Sequence, residues 1–175
     1  QDIQRLDRLV TDISNASRLD AELSREGMKK IDIKKILEET VIFYNREKKK
    51  ILFNFIKDTN YVTHGNEQRL SQVFNNLIDN ALSFNKHNKK IEIFLKNKKN
   101  NIFIEISDYG PGIHRNNFNK IFDRFYTERP SDEKFGQHSG LGLSIVKQIL
   151  DAHKGLIKVE NKIEINKKVI GAKFT

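Results

Sequence analysis

The stretch Ile106-Ser107-Asp108-Tyr109-Gly110-Pro111-Gly112-Ile113 decides how this chain is read. Its approach, from Ile102 to Ser107, places isoleucine at every second position, the period of a half-buried strand. The strand runs straight into Asp108 and a loop holding Gly110, Pro111 and Gly112. A carboxylate at a strand end, followed by residues that let backbone come close to a ligand, is one way to build a pocket for a base or a phosphate. The same residue types also make an ordinary turn that closes a strand. The surrounding sequence has to separate the two.

Upstream, residues 91–95 form a second strand, and Lys98-Lys99-Asn100-Asn101 joins the two as a hairpin. Before it, Leu70, Val73, Phe74, Leu77, Ile78, Ala81 and Leu82 recur at helical spacing over residues 67–84. Residues 31–33 are a short extended piece, and Asp32 is placed to cap a helix whose apolar face is Ile36, Leu37, Val41 and Tyr44. Residues 51–56 and 61–63 read as strands. Downstream, a short helix is expected over 115–122. A longer one is expected over 141–153, started by Gly140 and stopped near Gly155, with 157–159 and 169–174 as a closing strand pair. The expected class is α+β: a two-layer sandwich with a mixed, mostly antiparallel sheet covered by helices on one face. Ahead of it, Ile3, Leu6, Val10 and Ile13, then Ala16, Leu19 and Leu23 after a slip of phase, make an amphipathic helix ending near Gly27. Its seam needs a partner, for which a second copy of the chain would serve.

The 175 residues suit one domain with a short extra element, and 37% hydrophobic content with twelve Phe supplies a core. Without cysteine the chain has neither disulfides nor thiolate metal sites, which is compatible with a reducing cytoplasm. No apolar run approaches the ~18–20 residues of a membrane span, and no signal-peptide pattern opens the chain. It opens inside a helical pattern and stops inside an apparent strand, so a fragment of a longer protein is expected. The net charge of +9 raises nucleic-acid binding, but the lysines fall in short clusters at element ends, without a single stripe of interleaved aromatics. Solvated surface accounts for them better.

Chemistry gathers on three further stretches. Asn76 and Asn80 lie four residues apart on one face of the long helix, while Asp79 points elsewhere. Amide oxygens are hard neutral ligands, suited to a Mg²⁺ that keeps most of its bonds to water and phosphate; two exposed amides on an Asn-rich chain are the plainer alternative. Gly136, Ser139, Gly140, Leu141, Gly142 and Leu143 run into a strongly amphipathic helix. Unpaired N–H groups at such a start, with the helix dipole, suit an anion. Between the glycine clusters, Ile121-Phe122-Asp123-Arg124-Phe125-Tyr126 is a compact aromatic segment, in which Phe122 and Phe125 are placed to anchor the polar residues 127–138 as a lid.

In this order the motifs at 76–85, 108–113, 121–126 and 136–146 resemble the catalytic and ATP-binding domain of sensor histidine kinases of two-component systems. That domain belongs to the GHKL superfamily (Bergerat fold), shared with gyrase, Hsp90 and MutL. The resemblance covers roughly residues 30–175, and the wording of 76–85 is similar to that of alphaproteobacterial envelope-sensing members. Residues 1–27 are similar to the end of the second helix of the family's dimerisation hairpin, leaving 28–175 as the catalytic and ATP-binding domain.

The resemblance implies ATP and Mg²⁺ as cofactors, with Asp108 accepting the adenine amino hydrogen and selecting adenine over guanine. Gly110, Gly112 and Ile113 would close on the base, and Phe84 would lie against it. Asn80 would ligate the metal, with Asn76 supporting the phosphates. Phe122, Arg124, Tyr126, Gly136, Ser139, Gly140, Leu141, Gly142 and Leu143 would line the nucleotide site. It further implies a response-regulator receiver domain as partner, a homodimer through the hairpin, no nucleic acid, and a cytoplasmic location under a parent anchored in the bacterial inner membrane.

Two departures stand out. Ser83 occupies a position where many members carry Lys or Arg, so that charge is either absent or supplied by Lys86, Arg124, Arg129 or Lys134. None of the five histidines has the acidic neighbour of the family's phosphoacceptor, so that nucleophile is expected outside this chain. An ATP-hydrolysing member of the superfamily is the competing enzyme class. Such members place Glu one helical turn before the metal asparagine, where this chain has Asn76, an amide that cannot take a proton. A basic nucleic-acid-binding module is the third alternative, and a steep salt dependence of DNA binding would distinguish it.

Overall fold

A computed structural model describes residues 10, 14, 27–47, 49–85, 89–126 and 140–175. The amphipathic stretch 1–26 lies, but for two residues, outside this set, as do residues 127–139. The described elements are β1 (Lys29–Asp32), α1 (Ile33–Arg46), β2 (Ile51–Phe55), β3 (Val62–Gly65), α2 (Glu67–Phe84), β4 (Ile91–Lys98), β5 (Asn101–Ser107), α3 (Gly142–Ala152), β6 (Val159–Ile163) and β7 (Val169–Phe174). β1 and β3 pair antiparallel as a separate ribbon, and the other strands form one sheet in the order β2-β4-β5-β7-β6. Only β2–β4 is parallel; the remaining pairs are antiparallel, so the sheet is mixed as expected. Lys99 and Asn100 form the two-residue β4–β5 turn with φ of 52° and 64°, the primed geometry that matches strand twist.

The core lies between one sheet face and the helices. Ile91, Ile93 and Leu95 alternate along β4 and are fully buried, beside Ile106 of β5 and Phe174 of β7. The helices bring Leu37 from α1, Val73 and Ile78 from α2, and Val146 and Ile149 from α3 to the same cluster. Each such side chain contributes about 1.5–3 kcal/mol by leaving water. The opposite sheet face is charged: Lys162 pairs with Glu92 at 3.0 Å, and Lys173 with Glu105 at 3.8 Å.

Helix starts follow the sequence closely. Asp32 caps α1 by accepting from the N–H groups of Lys34 and Lys35, and Asn66 caps α2 by accepting from Arg69 N–H at 2.9 Å. Each such cap is worth about 1 kcal/mol. His153, just past α3, ties the two ends together. Its Nε2 accepts from Asn66 N–H at 3.0 Å while Nδ1 faces the Ile149 carbonyl at 2.7 Å.

Two local expectations change, and the stop of α3 near Gly155 gains its detail. The helix over 115–122 is two 3₁₀ turns, Arg115–Asn117 and Lys120–Phe122. Its asparagines compete with helix formation, and of Ile121 and its neighbours only Ile121 is buried. The last hairpin begins later than expected, because Val159 pairs with Phe174 and the ladder runs on through Asn161 and Ala172 to Ile163. The residue turning α3 off is Lys154, at φ 56°, one before Gly155; Gly155 N–H then donates to the Leu150 carbonyl at 2.8 Å.

Candidate nucleotide site

Asp108 follows the last residue of β5 and is only 3% exposed. Its main-chain N–H donates to the Ala172 carbonyl at 3.0 Å, and its Oδ1 accepts from Ala172 N–H at 3.1 Å and from Gly110 N–H at 2.8 Å. Both side-chain bonds fall on one oxygen. Burial pushes the Asp108 carboxyl above the usual carboxylate range, and the two amide donors with the nearby Lys162 ammonium offset this only in part. A carboxylate held this way is strained toward neutrality and gains from any donor brought to it.

The loop behind it is packed without slack. A side chain at Gly110 would meet the Phe84 carbonyl oxygen at 2.7 Å, so α2 abuts the loop at its C-terminal end. Gly112 sits at φ +76°, and a Cβ there would meet Val169 Cγ1 at 2.4 Å and Asn161 Oδ1 at 2.8 Å. Ile113 is gripped by Asn161, whose Oδ1 accepts from Ile113 N–H and whose Nδ2 donates to the Ile113 carbonyl, both at 2.8 Å. On the other side, Asn85 Oδ1 accepts from Tyr109 N–H at 3.0 Å.

Tyr109 faces a charged cluster. Its hydroxyl donates to Glu92 at 2.9 Å, and the Lys162 and Lys89 ammonium groups lie 3.6 Å and 4.5 Å from its ring centroid. Burial raises the Glu92 carboxyl, but the bonds from Lys162 and Tyr109 outweigh it and hold the group below its usual range.

The second half of α2 runs beside the start of α3. Asn76 Nδ2 donates to the Gly142 carbonyl at 3.4 Å, and Asn80 stands one turn further on, half-buried. Asp79 is turned away, as expected, and accepts from the hydroxyl of buried Tyr44 at 2.8 Å. That phenol is pushed far above its usual range, first by burial and then by Asp79. The N-cap position of α3, Leu141, is 3% exposed and makes no side-chain cap. A Cβ on Gly142 would find nothing nearer than Asn76 Cγ at 4.0 Å. Among the described residues, no side chain caps the N–H groups in the first turn of α3.

Gly140 lies beside the aromatic segment, its carbonyl accepting from Phe125 N–H at 3.1 Å. Phe122 and Tyr126 pack on the core, as do Ile113 and Leu143, whereas Phe125 is 49% exposed and Arg124 is exposed. Phe122 thus anchors this segment, and Phe125 holds it through its backbone. Gly136, Ser139 and the lid stretch lie outside the described residues.

The structure sets Phe84, Asp108 and Gly110 against one another, holds Gly112 and Ile113 on Asn161, and pairs Asn76 with Gly142. It adds residues that sequence reasoning missed. A side chain at Gly171 would fall 2.1 Å from the Asp108 carbonyl oxygen, so β7 crosses Asp108 only because it carries glycine there. An isolated glycine within a strand is a recognised sign of close backbone approach. Asn85 and Asn161 gave no such sign, because an asparagine that bonds a distant backbone resembles any other in the sequence.

The family model described as histidine kinase-, DNA gyrase B-, and HSP90-like ATPase matches residues 65–175. The sensor protein ChvG of Rhizobium meliloti is 42% identical over 183 residues, spanning 99% of this chain and 32% of that protein. The chain thus covers about a third of that relative's length. Among solved structures, the nucleotide-free catalytic domain of the histidine kinase ThkA is 27% identical with a TM-score of 0.69, covering 85% of this chain and 92% of that one. ThkA in complex with a response regulator shares the fold at 24% identity, TM-score 0.69, over 97% of this chain and 46% of that one. With a family model matched along more than half its length, the chain belongs to the histidine kinase-, DNA gyrase B- and HSP90-like ATPases.

Proposed function

We propose that this chain is the ATP-binding catalytic domain, residues 28–175, of a sensor histidine kinase, preceded by the end of a dimerising helical hairpin at residues 1–27. The observation that carries the reading is Asp108: a buried carboxylate with both hydrogen bonds on Oδ1, at the mouth of a glycine loop. Oδ2 is then the acceptor for the adenine amino group. Guanine, with a carbonyl at that position, would set oxygen against carboxylate. Phe84 and Ile113 flank the base. The uncapped N–H groups of α3 take the phosphates.

Among the described residues no three His, Cys, Asp or Glu side chains stand close enough to hold a metal. A metal here would therefore draw most of its ligands from phosphate and water, as Mg²⁺ does. Asn80 fits that role with its amide oxygen, and Asn76 supports it from the preceding turn. Bound Mg²⁺ would neutralise phosphate charge. The protein's part in phosphoryl transfer is positioning and charge stabilisation, which asks for no general base.

The acceptor is a histidine on an upstream helix, and the phosphoryl group passes on to an aspartate of a receiver domain; the complex of ThkA with a response regulator supports that partner. No helix among the described residues is long and apolar enough to cross a membrane. We place anchoring in an upstream part of the parent, with this domain in the cytoplasm.

The experiment joins the chain to the upstream helix of its parent protein and supplies ATP radiolabelled at the γ-phosphate. Acid-labile, base-stable labelling is expected; labelling on serine, or none, refutes the kinase assignment. Asn80→Ala should weaken Mg²⁺-ATP binding more than metal-free binding. Equal losses would remove Asn80 from the metal.

A further inference from the structure

We infer that Asn161, on β6, is a positioning residue for nucleotide binding: it sets the base-facing loop in its binding shape before any ligand arrives. The inference rests on residues 108–113 being the adenine loop. Its first residue, Asp108, is bonded in both directions to the backbone of Ala172 on β7, at 3.0 and 3.1 Å. Its last residue, Ile113, is bonded in both directions to the Asn161 side chain, at 2.8 Å each. Asn161 and Ala172 are themselves direct partners across the β6–β7 ladder. One rung of the closing hairpin therefore grips both ends of the loop.

The fit is mutual. Gly112 lacks the side chain that would collide with Asn161 Oδ1, so the loop and its clamp require each other. An amide suits this work because one end donates and the other accepts. A carboxylate would meet the Ile113 carbonyl with like charge, and an aliphatic side chain would leave both Ile113 groups open.

The chain contains its own control. Asn45 makes the same two bonds to Ile51, its Oδ1 accepting from Ile51 N–H at 2.9 Å and its Nδ2 donating to the carbonyl at 3.2 Å, at the start of β2. The value of such a clamp to folding alone can be read there.

The test titrates adenosine and inorganic tripolyphosphate separately into the unaltered chain and into Asn161→Ala, Asn45→Ala and Asp108→Asn. Expected for Asn161→Ala is about a tenfold loss of adenosine affinity (about 1.4 kcal/mol), with tripolyphosphate affinity unchanged. Asn45→Ala should lower the unfolding midpoint and leave both affinities alone. Unchanged adenosine affinity in Asn161→Ala, or equal losses of both ligands, overturns the inference. If Asp108→Asn also keeps its adenosine affinity, the adenine assignment has failed and the inference falls with it. Should Asn161→Ala not fold, hydrogen exchange in the unaltered chain decides. The Ile113 amide is expected to be protected without ligand, and an unprotected amide overturns the inference.

Discussion

The two glycine-rich stretches around the site are built in opposite ways. At residues 108–113 four of the five backbone N–H groups have a partner inside the protein: the Ala172 carbonyl for Asp108, Asn85 for Tyr109, the Asp108 carboxylate for Gly110 and Asn161 for Ile113. At residues 140–143 the helix begins with a buried leucine in the capping position and no side-chain cap, although α1 and α2 are capped by Asp32 and Asn66. One end of the site is finished before a ligand comes, and the other keeps its donors for the ligand. Rigid recognition of a base and open recognition of phosphate oxygens call for that division.

The comparison breaks most directly at the finished end. Gly171→Ala would drive a methyl group to 2.1 Å from the Asp108 carbonyl oxygen. A stability loss of about 1–3 kcal/mol or more is expected in urea denaturation. A midpoint equal to that of the unaltered chain would mean that β7 does not fix Asp108.

At the open end, Gly142→Asp adds a Cβ that meets nothing nearer than Asn76 Cγ at 4.0 Å among the described residues, and it puts a carboxylate in the first turn of α3. The ligand-free chain should gain about 0.3–1 kcal/mol from the helix dipole. Tripolyphosphate affinity should fall at least tenfold, with adenosine affinity kept. Equal loss of adenosine would show that the two ends are not separate.

The smallest expected effect is a pH dependence. Burial raises the Asp108 carboxyl in the folded state, so the folded chain holds that proton at pH values where the unfolded chain has released it. Stability from this group therefore declines as pH rises from the ordinary carboxylate range to the raised value, then levels off. Adenosine affinity runs the other way, since the amino group needs the ionised oxygen. Thermal melts and adenosine titrations over that window should show opposite slopes for the unaltered chain and none from this group for Asp108→Asn. A matching slope in Asp108→Asn would assign the effect to another residue.

Much of this was legible in the sequence. Period-two isoleucines marked β5, helical spacing marked α2, and Asp32 announced its cap, because each signal is local. Asn76, Asp108 and Gly142 stand out in the sequence through the order of their motifs. The clamp by Asn161 does not: it lies 48 residues from Ile113 along the chain and depends on the β6–β7 register. The strand itself begins two residues later than the apolar pattern suggests, since Ile157 and Val159 are as apolar as a strand needs and only pairing with Phe174 fixes where it runs. Gly171 carried a local sign, an isolated glycine in a strand, without saying which backbone approaches it.

The most direct test is calorimetric titration of the chain with ATP and with GTP, before and after Asp108→Asn. We expect ATP to bind and GTP to bind far more weakly. The substitution should cost ATP about 10- to 100-fold, the loss of about 1.5–3 kcal/mol from a hydrogen bond to a charged group, in a chain that still unfolds cooperatively. Equal binding of ATP and GTP, or unchanged ATP affinity in Asp108→Asn, would contradict the assignment of Asp108 as the residue that reads adenine.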